Sequence, residues 1–395
     1  MIPQLNHEMR PTLNTEDMAR GQFVSGLRSF ILHDLAADMR YAYDNRAAAD
    51  FASQHGHAPK DGAEVHKALR PDPAFKVYSA LRVEAQRMVW NSVGPVVARE
   101  LYKLNKAAEQ VKDRPGQVKL APGFEVPRNV SALDVHLMPG SYTRGGDTLE
   151  AGAVYDQGLA VFSMGLMGEN LDDIGLSMAR YISRKFRDFK PTAILDMGCT
   201  IGHNTLPWKQ TYPQAKVTAI DAAGSVLLYG SARAKMLGQD VDFVQMSADA
   251  LDFPDQSFDL VFSSMFLHEI SNKTREKVFA EAYRVLKPGG LMLHMELPPN
   301  DQMSAFDGFY LDWDSWYNEE PFYKAFRDQD TRTICKAAGF GADDYLQFVV
   351  PSIGIYGADA IDDAIAHEES QKVDQSTTGR LAEGVQWFGF GAWKR

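Results

Sequence analysis

Two aspartates and two glycines are spaced as in a ligand-binding turn at the edge of a parallel sheet. Asp196 closes an apolar run that begins at Ala193, and Gly198 and Gly202 follow it. Such a run predicts a strand buried on both faces, and the glycines let the backbone turn sharply and approach a ligand. Asp221 closes a second apolar run nineteen residues after Gly202. This βαβ pattern predicts a ligand at the carboxyl ends of the strands.

The spacing of the two glycines indicates which ligand binds there. A dinucleotide fingerprint has G-x-G-x-x-G, whereas this chain has Gly198-x-x-x-Gly202 with Asp196 in front of it. The Asp196 carboxylate would repel a pyrophosphate and attract an ammonium group. A ligand with a ribose and an amine but no phosphate is therefore expected, and S-adenosylmethionine fits that description.

Several further motifs stand at the spacing of a known family. They are the segments 196–202, 221, 247–250 (Ser-Ala-Asp-Ala), 258–264 (Phe-Asp-Leu-Val-Phe-Ser-Ser) and 286–290 (Leu-Lys-Pro-Gly-Gly). With them, residues 193–296 resemble the class I S-adenosylmethionine-dependent methyltransferases. The likeness is greatest to the small-molecule branch that includes the ubiquinone/menaquinone biosynthesis methyltransferases, and it covers about a quarter of the chain.

The resemblance implies roles for individual residues. Asp221 matches the residue that accepts hydrogen bonds from both ribose hydroxyls, and Asp249 matches the one that binds the adenine amino group. The expected cofactor-binding residues are Asp196, Gly198, Cys199, Thr200, Gly202, Asp221, Ala222, Ala248, Asp249, Ala250, Ser263 and Ser264. Family members usually have glycine where Thr200 stands, so its side chain is expected to narrow the methionine end of the site.

Two side chains are candidates for the acceptor side of the site. His268 follows the fourth strand, where an imidazole could take a proton from a hydroxyl group. The alternative is that His268 only orients its loop and that Glu269 is a solvated carboxylate at a helix start. Tyr155 is a candidate pocket residue, because the family folds the segment before its first strand over the cofactor; otherwise Tyr155 is packing.

Composition narrows the class of protein. Hydrophobic residues make up 45% of the 395 residues and charged residues 24%, which is ordinary for a globular chain of two domains or one elaborated domain. The net charge of −11 argues against a nucleic-acid substrate. Cys199 and Cys335 offer no disulfide framework, and neither a signal pattern nor a membrane-length apolar run is apparent, so a cytoplasmic protein is expected. No Cys/His ligand set accompanies His55 and His57, so no metal is expected.

The chain is expected to contain three parts. A helical domain covers 1–115, a Gly/Pro-rich connector with extended pieces covers 116–168, and the methyltransferase domain covers 169–395. Within the last part, the nine aromatic residues between 306 and 326 predict a lid over the substrate, with packing on the N-terminal helices as the alternative reading. Residues 355–383 are expected to be an insertion between the last two strands.

The periodicities predict the elements of these parts. A capped helix is expected from Asn14, with an apolar face made of Phe23, Leu27, Phe30, Ile31, Leu35 and Met39, and a later helix is expected to kink at Gly94-Pro95. Strands are expected near 193–197, 216–221, 241–246, 258–263, 290–296, 345–350 and 385–393. Alternation of strands and helices predicts an α/β, Rossmann-like, mostly parallel sheet. The resemblance implies the order 3-2-1-4-5-7-6 for seven strands.

The function expected from the sequence is methyl transfer from S-adenosylmethionine to a small organic acceptor by in-line displacement. Two alternatives stay open: a non-catalytic, cofactor-binding regulatory or partner subunit, and a protein or peptide methyltransferase. No membrane partner is expected, and a homodimer is left open.

Overall fold

An eight-stranded sheet with helices on both faces forms the centre of the computed structural model, which describes residues 6–367, 378–381 and 384–395. The strands are β1 (Val118–Lys119), β2 (Ala193–Met197), β3 (Lys216–Asp221), β4 (Asp242–Gln245), β5 (Phe258–Ser264), β6 (Leu286–Glu296), β7 (Tyr345–Pro351) and β8 (Gln386–Trp393). The α-helices are α1 (Thr15–Phe30), α2 (Ala36–Ala42), α3 (Ala48–His55), α4 (Gly62–Leu69), α5 (Pro73–Val111), α6 (Arg128–Ser131), α7 (Glu150–Phe162), α8 (Asp173–Lys185), α9 (Leu206–Thr211), α10 (Gly224–Met236), α11 (Asn272–Val285), α12 (Ala305–Tyr317), α13 (Tyr323–Arg327), α14 (Thr331–Ala337), α15 (Ile353–Tyr356) and α16 (Ala358–Ala366).

The sheet has the expected topology with one strand added. Its order is β1-β4-β3-β2-β5-β6-β8-β7. Pairing is parallel from β1 to β6, and β8 runs antiparallel to both β6 and β7. Without β1, this is the predicted order 3-2-1-4-5-7-6. The additional edge strand, Val118–Lys119, is too short to give a periodic signal in a Gly/Pro-rich segment.

The N-terminal helix begins as predicted, and part of the predicted apolar face, including Ile31 and Met39, is buried. The Asn14 side chain caps α1 in a capping box with Asp17. Phe23 and Phe30, however, are 62% and 47% exposed. The buried stripe of α1 instead includes Ser25 and Arg28, whose side chains donate to the carbonyls of Val161 (3.0 Å) and Phe162 (2.9 Å). A search for apolar periodicity does not detect buried polar side chains that contact a neighbouring helix.

The long helix α5 runs unbroken through Gly94 and Pro95, where the sequence predicts a kink. Its C-terminal half packs with α7 and α10 in one apolar cluster that includes Val89, Trp90, Val154 and Tyr229. The helical N-terminal region therefore shares a core with the sheet's own covering helices.

The connector 116–168 is more helical than its composition suggests. The sequence indicates an extended piece from Val130 to Met138. The structure instead has α6 at residues 128–131 and a 3₁₀ turn at 135–137, and residues 150–162 form α7. Gly158 is a packing position of α7, because a Cβ there would lie 2.2 Å from the Trp90 ring. Glycines that allow two helices to approach closely resemble loop glycines when only composition is considered.

The segment 306–326 forms α12, with Ser304 as its N-cap, and α13. Phe306, Phe309 and Trp313 join an apolar cluster with Ile31, Met39, Val65, Phe75 and Tyr78 from the N-terminal helices. Of the expected insertion 355–383, helix α16 is seen, and 368–377 and 382–383 lie outside the described residues. No helix in the described part of the chain is long and apolar enough to cross a membrane.

Candidate functional site

A cavity of about 320 Å³ lies at the carboxyl ends of the parallel strands β2, β3 and β5. One wall is the turn after β2. The opposite wall combines the N-terminal helices, through Arg28 and Arg82, with residues of α12 and α13, such as Tyr310 and Tyr323. This size is in the range of small-molecule sites. The cavity therefore joins the predicted cofactor turn to the predicted lid.

The two glycines of the turn have different roles. Both have left-handed backbones, with φ +70° at Gly198 and +72° at Gly202. A Cβ on Gly198 would lie 2.4 Å from the ring of Phe266, which also lines the cavity. A Cβ on Gly202 would lie 2.7 Å from the ring of Phe243 in the core, and Gly202 does not line the cavity. Gly202 therefore leaves space for Phe243, and its expected contact with the ligand stays a prediction.

Asp196 carries a buried carboxylate with one oxygen unpaired. Its Oδ2 accepts a hydrogen bond from the Thr205 hydroxyl, and its Oδ1 has no hydrogen-bond partner among the described residues. Burial raises the pKa of Asp196 to about 7. An unpaired, buried carboxylate oxygen on the cavity wall fits a ligand ammonium group. The residues present therefore fit the amine end of S-adenosylmethionine.

Asp221 lies at the end of β3, also on the cavity wall. Its oxygens accept hydrogen bonds from the backbone N–H groups of Thr200 (3.0 Å) and Ala223 (2.9 Å). Each carboxylate oxygen can accept a second bond, so both retain capacity for a ribose hydroxyl. Burial raises the pKa of Asp221 to about 6 even though these N–H groups favour the anion.

Thr200 has φ +48°, a conformation that favours glycine. This backbone gives a physical reason for the glycine that the resembling family usually has there. The Thr200 hydroxyl donates to the Cys199 carbonyl at 2.8 Å, and both residues line the cavity.

The other expected cofactor residues divide into two groups. Ala222, Ala248, Asp249 and Ser264 line the cavity. Asp249 Oδ1 accepts from the Ser247 hydroxyl at 2.5 Å, and its Oδ2 lies 3.5 Å from Lys277 Nζ. Ala250 and Ser263 do not line the cavity, and the Ser263 hydroxyl contacts His294 Nδ1 at 2.7 Å in the core. Side chains alternate along a strand, so Ser264 faces the cavity when Ser263 does not.

His268 is fully buried on the cavity wall and held by a carboxylate. Its Nδ1 donates to Glu296 Oε2 at 2.7 Å, and Glu296 Oε1 accepts the backbone N–H groups of Phe266 and Leu267. Its Nε2 lies 3.8 Å from Glu320 Oε2. Burial by itself would lower the pKa of His268, but the carboxylates of Glu296 and Glu320 outweigh it and raise the pKa. The structure thus gives His268 a carboxylate partner that orients its ring, and its role as a base stays a prediction.

His136 adjoins the same group of carboxylates. Its Nδ1 donates to Glu320 Oε1 at 2.9 Å, and its Nε2 lies 3.4 Å from Glu269 Oε1. Burial would lower the pKa of His136, yet Glu320 and Glu269 raise it well above the ordinary value. Glu269 also accepts the Tyr142 hydroxyl at 2.8 Å, so the alternative of a freely solvated Glu269 is wrong. We call His136, His268, Glu269, Glu296 and Glu320 the histidine–glutamate cluster.

Sequence reasoning did not identify most of this cluster. His136 and Glu320 are 184 positions apart, and no short-range spacing reports such a pair. The one available signal was the polar residue His136 in an otherwise apolar stretch of the connector. The backbone of His136 has φ +58°, and its carbonyl accepts Trp90 Nε1 (2.7 Å) and Gln86 Nε2 (2.9 Å) from α5. Helix α5 thereby fixes the position of the His136 ring. Tyr155 also lines the cavity, and burial raises its pKa.

Comparison with known proteins places the turn after β2 within a recognised domain. Residues 194–290 match the family described as "Methyltransferase domain". Demethylmenaquinone methyltransferase from Thermus thermophilus is 36% identical over 28% of this chain and 49% of that protein. Ubiquinone/menaquinone biosynthesis C-methyltransferase UbiE from Escherichia coli is 29% identical over 41% of this chain and 72% of that protein. The chain thus spans about half the length of the Thermus relative and more of the Escherichia one.

Solved structures give looser likenesses. A putative O-methyltransferase from Nostoc punctiforme covers 91% of this chain and 95% of its own, with 13% identity and a TM-score of 0.44. Phosphoethanolamine N-methyltransferase 2 from Haemonchus contortus, in complex with S-adenosyl-L-methionine, covers 60% of this chain and 57% of its own, with 20% identity and a TM-score of 0.40. The fold assignment rests on the observed strand order rather than on these superpositions.

Proposed function

We propose that this chain, whose sheet region is a class I S-adenosylmethionine-dependent methyltransferase domain resembling UbiE, methylates a small organic acceptor inside the cavity described above. One observation carries the proposal: a continuous cavity is lined both by the predicted cofactor residues Asp196 and Asp221 and by the lid residues of α12 and α13. A cavity of about 320 Å³ favours a small molecule over a protein chain as the acceptor.

Different residues of the chain would bind different parts of the cofactor. Asp196 would hold the methionine ammonium group with its unpaired Oδ1, Asp221 would hold the ribose hydroxyls, and Asp249 would hold the adenine amino group. S-adenosylmethionine, when bound, supplies a methyl group already activated by a positively charged sulfur. The protein is then needed chiefly to align the acceptor and to exclude water.

The relatives indicate a class of acceptor but do not identify one compound. The Thermus protein is a demethylmenaquinone methyltransferase, and the Escherichia protein is a ubiquinone/menaquinone biosynthesis C-methyltransferase. A lid of aromatic side chains, including Tyr310 and Tyr323 on the cavity wall, suits an aromatic acceptor. No observation here favours a non-catalytic subunit.

The test is incubation of the full-length chain with methyl-deuterated S-adenosylmethionine and fractionated small-molecule extracts, followed by mass spectrometry. The proposal expects S-adenosylhomocysteine to accumulate together with a small product that carries the deuterated methyl group. Binding of S-adenosylmethionine without any such conversion across the fractions would contradict it and would support a non-catalytic subunit. Label found only in protein would support a protein methyltransferase.

A further inference from the structure

The carboxylate of Glu320 has one oxygen that the protein leaves unpaired in the cavity wall. Its Oε1 accepts hydrogen bonds from His136 Nδ1 (2.9 Å) and Asn318 Nδ2 (2.7 Å). Its Oε2 has no hydrogen-bond partner among the described residues, although the side chain is only 3% exposed. His268 Nε2 lies 3.8 Å from Oε2, which is beyond hydrogen-bond length.

Apart from Asp196 at the cofactor turn, whose Oδ1 is also unpaired, the carboxylates near Glu320 have partners within the protein. Glu296 accepts three hydrogen bonds and does not line the cavity. Glu269 accepts the Tyr142 hydroxyl, and Asp314 pairs with Arg82 at 2.8 Å. A buried carboxylate oxygen without a donor is costly, because its hydration is lost and not replaced. Glu320 Oε2 is therefore the carboxylate oxygen on this side of the cavity that most needs a donor from a ligand.

The charge of Glu320 supports the same conclusion. Burial would raise the pKa of its carboxyl group, but the nearby His136 and His268 outweigh burial and lower it. The groups that face it from the neighbouring elements are His136, Tyr142, His268, Asp314 and Tyr323. Glu320 is thus an anion at neutral pH, fixed at Oε1 and open at Oε2.

We propose that the methyl acceptor carries a proton-bearing oxygen or nitrogen, a hydroxyl or an ammonium group, that donates a hydrogen bond to Glu320 Oε2. This inference rests on the proposed function and specifies the class of its substrate. An acceptor without such a donor would bury Oε2 unpaired and would bind more weakly. Glu320 lies outside residues 194–290, so this recognition belongs to the lid and not to the matched domain.

The experiment uses matched pairs of small aromatic probes in the presence of S-adenosylhomocysteine, which occupies the cofactor turn without supplying a methyl group. Phenol is paired with anisole, and benzylamine with benzyltrimethylammonium, because each second member lacks the donor hydrogen. Dissociation constants are measured by ligand-observed NMR for the wild type, for Glu320→Gln and for Glu319→Gln. Glu319 is a suitable control because it is the adjacent glutamate and is exposed.

The wild type and Glu319→Gln are expected to bind the donor member of at least one pair about tenfold more tightly, as for a hydrogen bond to a charged group. Glu320→Gln should reduce that preference to about threefold or less, because an amide is a weaker, uncharged acceptor. The phenol and benzylamine arms show whether a hydroxyl or an ammonium group is preferred. Shifts of the His136 and His268 ring resonances on binding of the donor probes locate the probes at the cluster.

Equal binding within both pairs by the wild type would overturn the proposal whether or not the variant folds. Full retention of the preference in Glu320→Gln, or failure of every probe to bind, would also overturn it. The affinity for S-adenosylhomocysteine, measured separately by calorimetry, tests the proposed function and not the role of Glu320. If the wild type did not bind S-adenosylhomocysteine, the methyltransferase assignment would be contradicted. If it bound S-adenosylhomocysteine but showed no preference for the donor probes, only the role of Glu320 would be contradicted.

Discussion

The affinity of the chain for S-adenosylhomocysteine, which has the ribose and ammonium groups of the methyl donor, should fall in two steps as pH decreases. Burial raises the pKa of Asp196 to about 7 and that of Asp221 to about 6. The ribose hydroxyls and the ammonium group favour the ionised carboxylates, so protonation of either one opposes binding. At pH 5, about a tenth of Asp221 is ionised, which predicts about a tenfold loss of affinity, or ~1.4 kcal/mol, from this residue alone.

Unfolding does not explain this loss. A carboxyl whose pKa is raised in the folded state stabilises the fold fully below its unfolded pKa, and this contribution is lost as pH rises. For Asp221 that window runs from 3.8 to about 6, and for Asp196 from 3.8 to about 7. Acidification to pH 5 therefore raises the free energy of unfolding through both carboxyl groups, although it lowers the affinity for S-adenosylhomocysteine.

Isothermal titration calorimetry between pH 5 and pH 8.5 measures the effect directly. A plot of log Kd against pH should bend near 7 and again near 6 in the wild type. Asp196→Asn should remove the upper bend and Asp221→Asn the lower one, while the exposed control Asp188→Asn should keep both. A wild-type affinity that is constant across this range would refute the assignment of both carboxylates to the ligand.

Three other changes have expected outcomes. Asp249→Ala should weaken binding of S-adenosylhomocysteine and reduce the discrimination against its inosine analogue, which calorimetry can compare; unchanged discrimination would refute the adenine role. Thr200→Gly should be more stable to urea than Thr200→Ala by about 1 kcal/mol, because alanine retains the strained backbone at φ +48°; equal stability would refute the strain. Gly158→Ala should lower the melting temperature because its Cβ would meet the Trp90 ring, whereas Gly26→Ala, with open space around it, should raise it slightly; similar shifts would contradict the packing.

The sheet could be predicted because its signals are local. The strand 193–197 is an apolar run buried on both faces, and Asp196 and Asp221 stand where parallel strands end. The shared location of the two carboxylates could therefore be predicted from this part of the sequence alone, and both line one cavity in the structure. The contact of Gly202 with Phe243 could not be predicted in this way, because a glycine can leave space for a core side chain as well as for a ligand.

The acceptor side depends on contacts between distant segments, which spacing does not report. Glu320, His136 and His268 come from three separate parts of the chain and meet only in the folded protein. Their partners also change the charge environment of His268, because the carboxylates of Glu296 and Glu320 raise its pKa. A titratable residue can be located from sequence, but its pKa depends on neighbours that only the fold supplies.

The most direct test of the account is a crystal structure of the full-length chain with S-adenosylhomocysteine. The account predicts the ribose hydroxyls within hydrogen-bond distance of Asp221, the ammonium group at Asp196 Oδ1, and the sulfur facing the part of the cavity lined by His268 and Glu320. Density for the ligand outside this cavity, or a ribose bound without Asp221, would contradict the account.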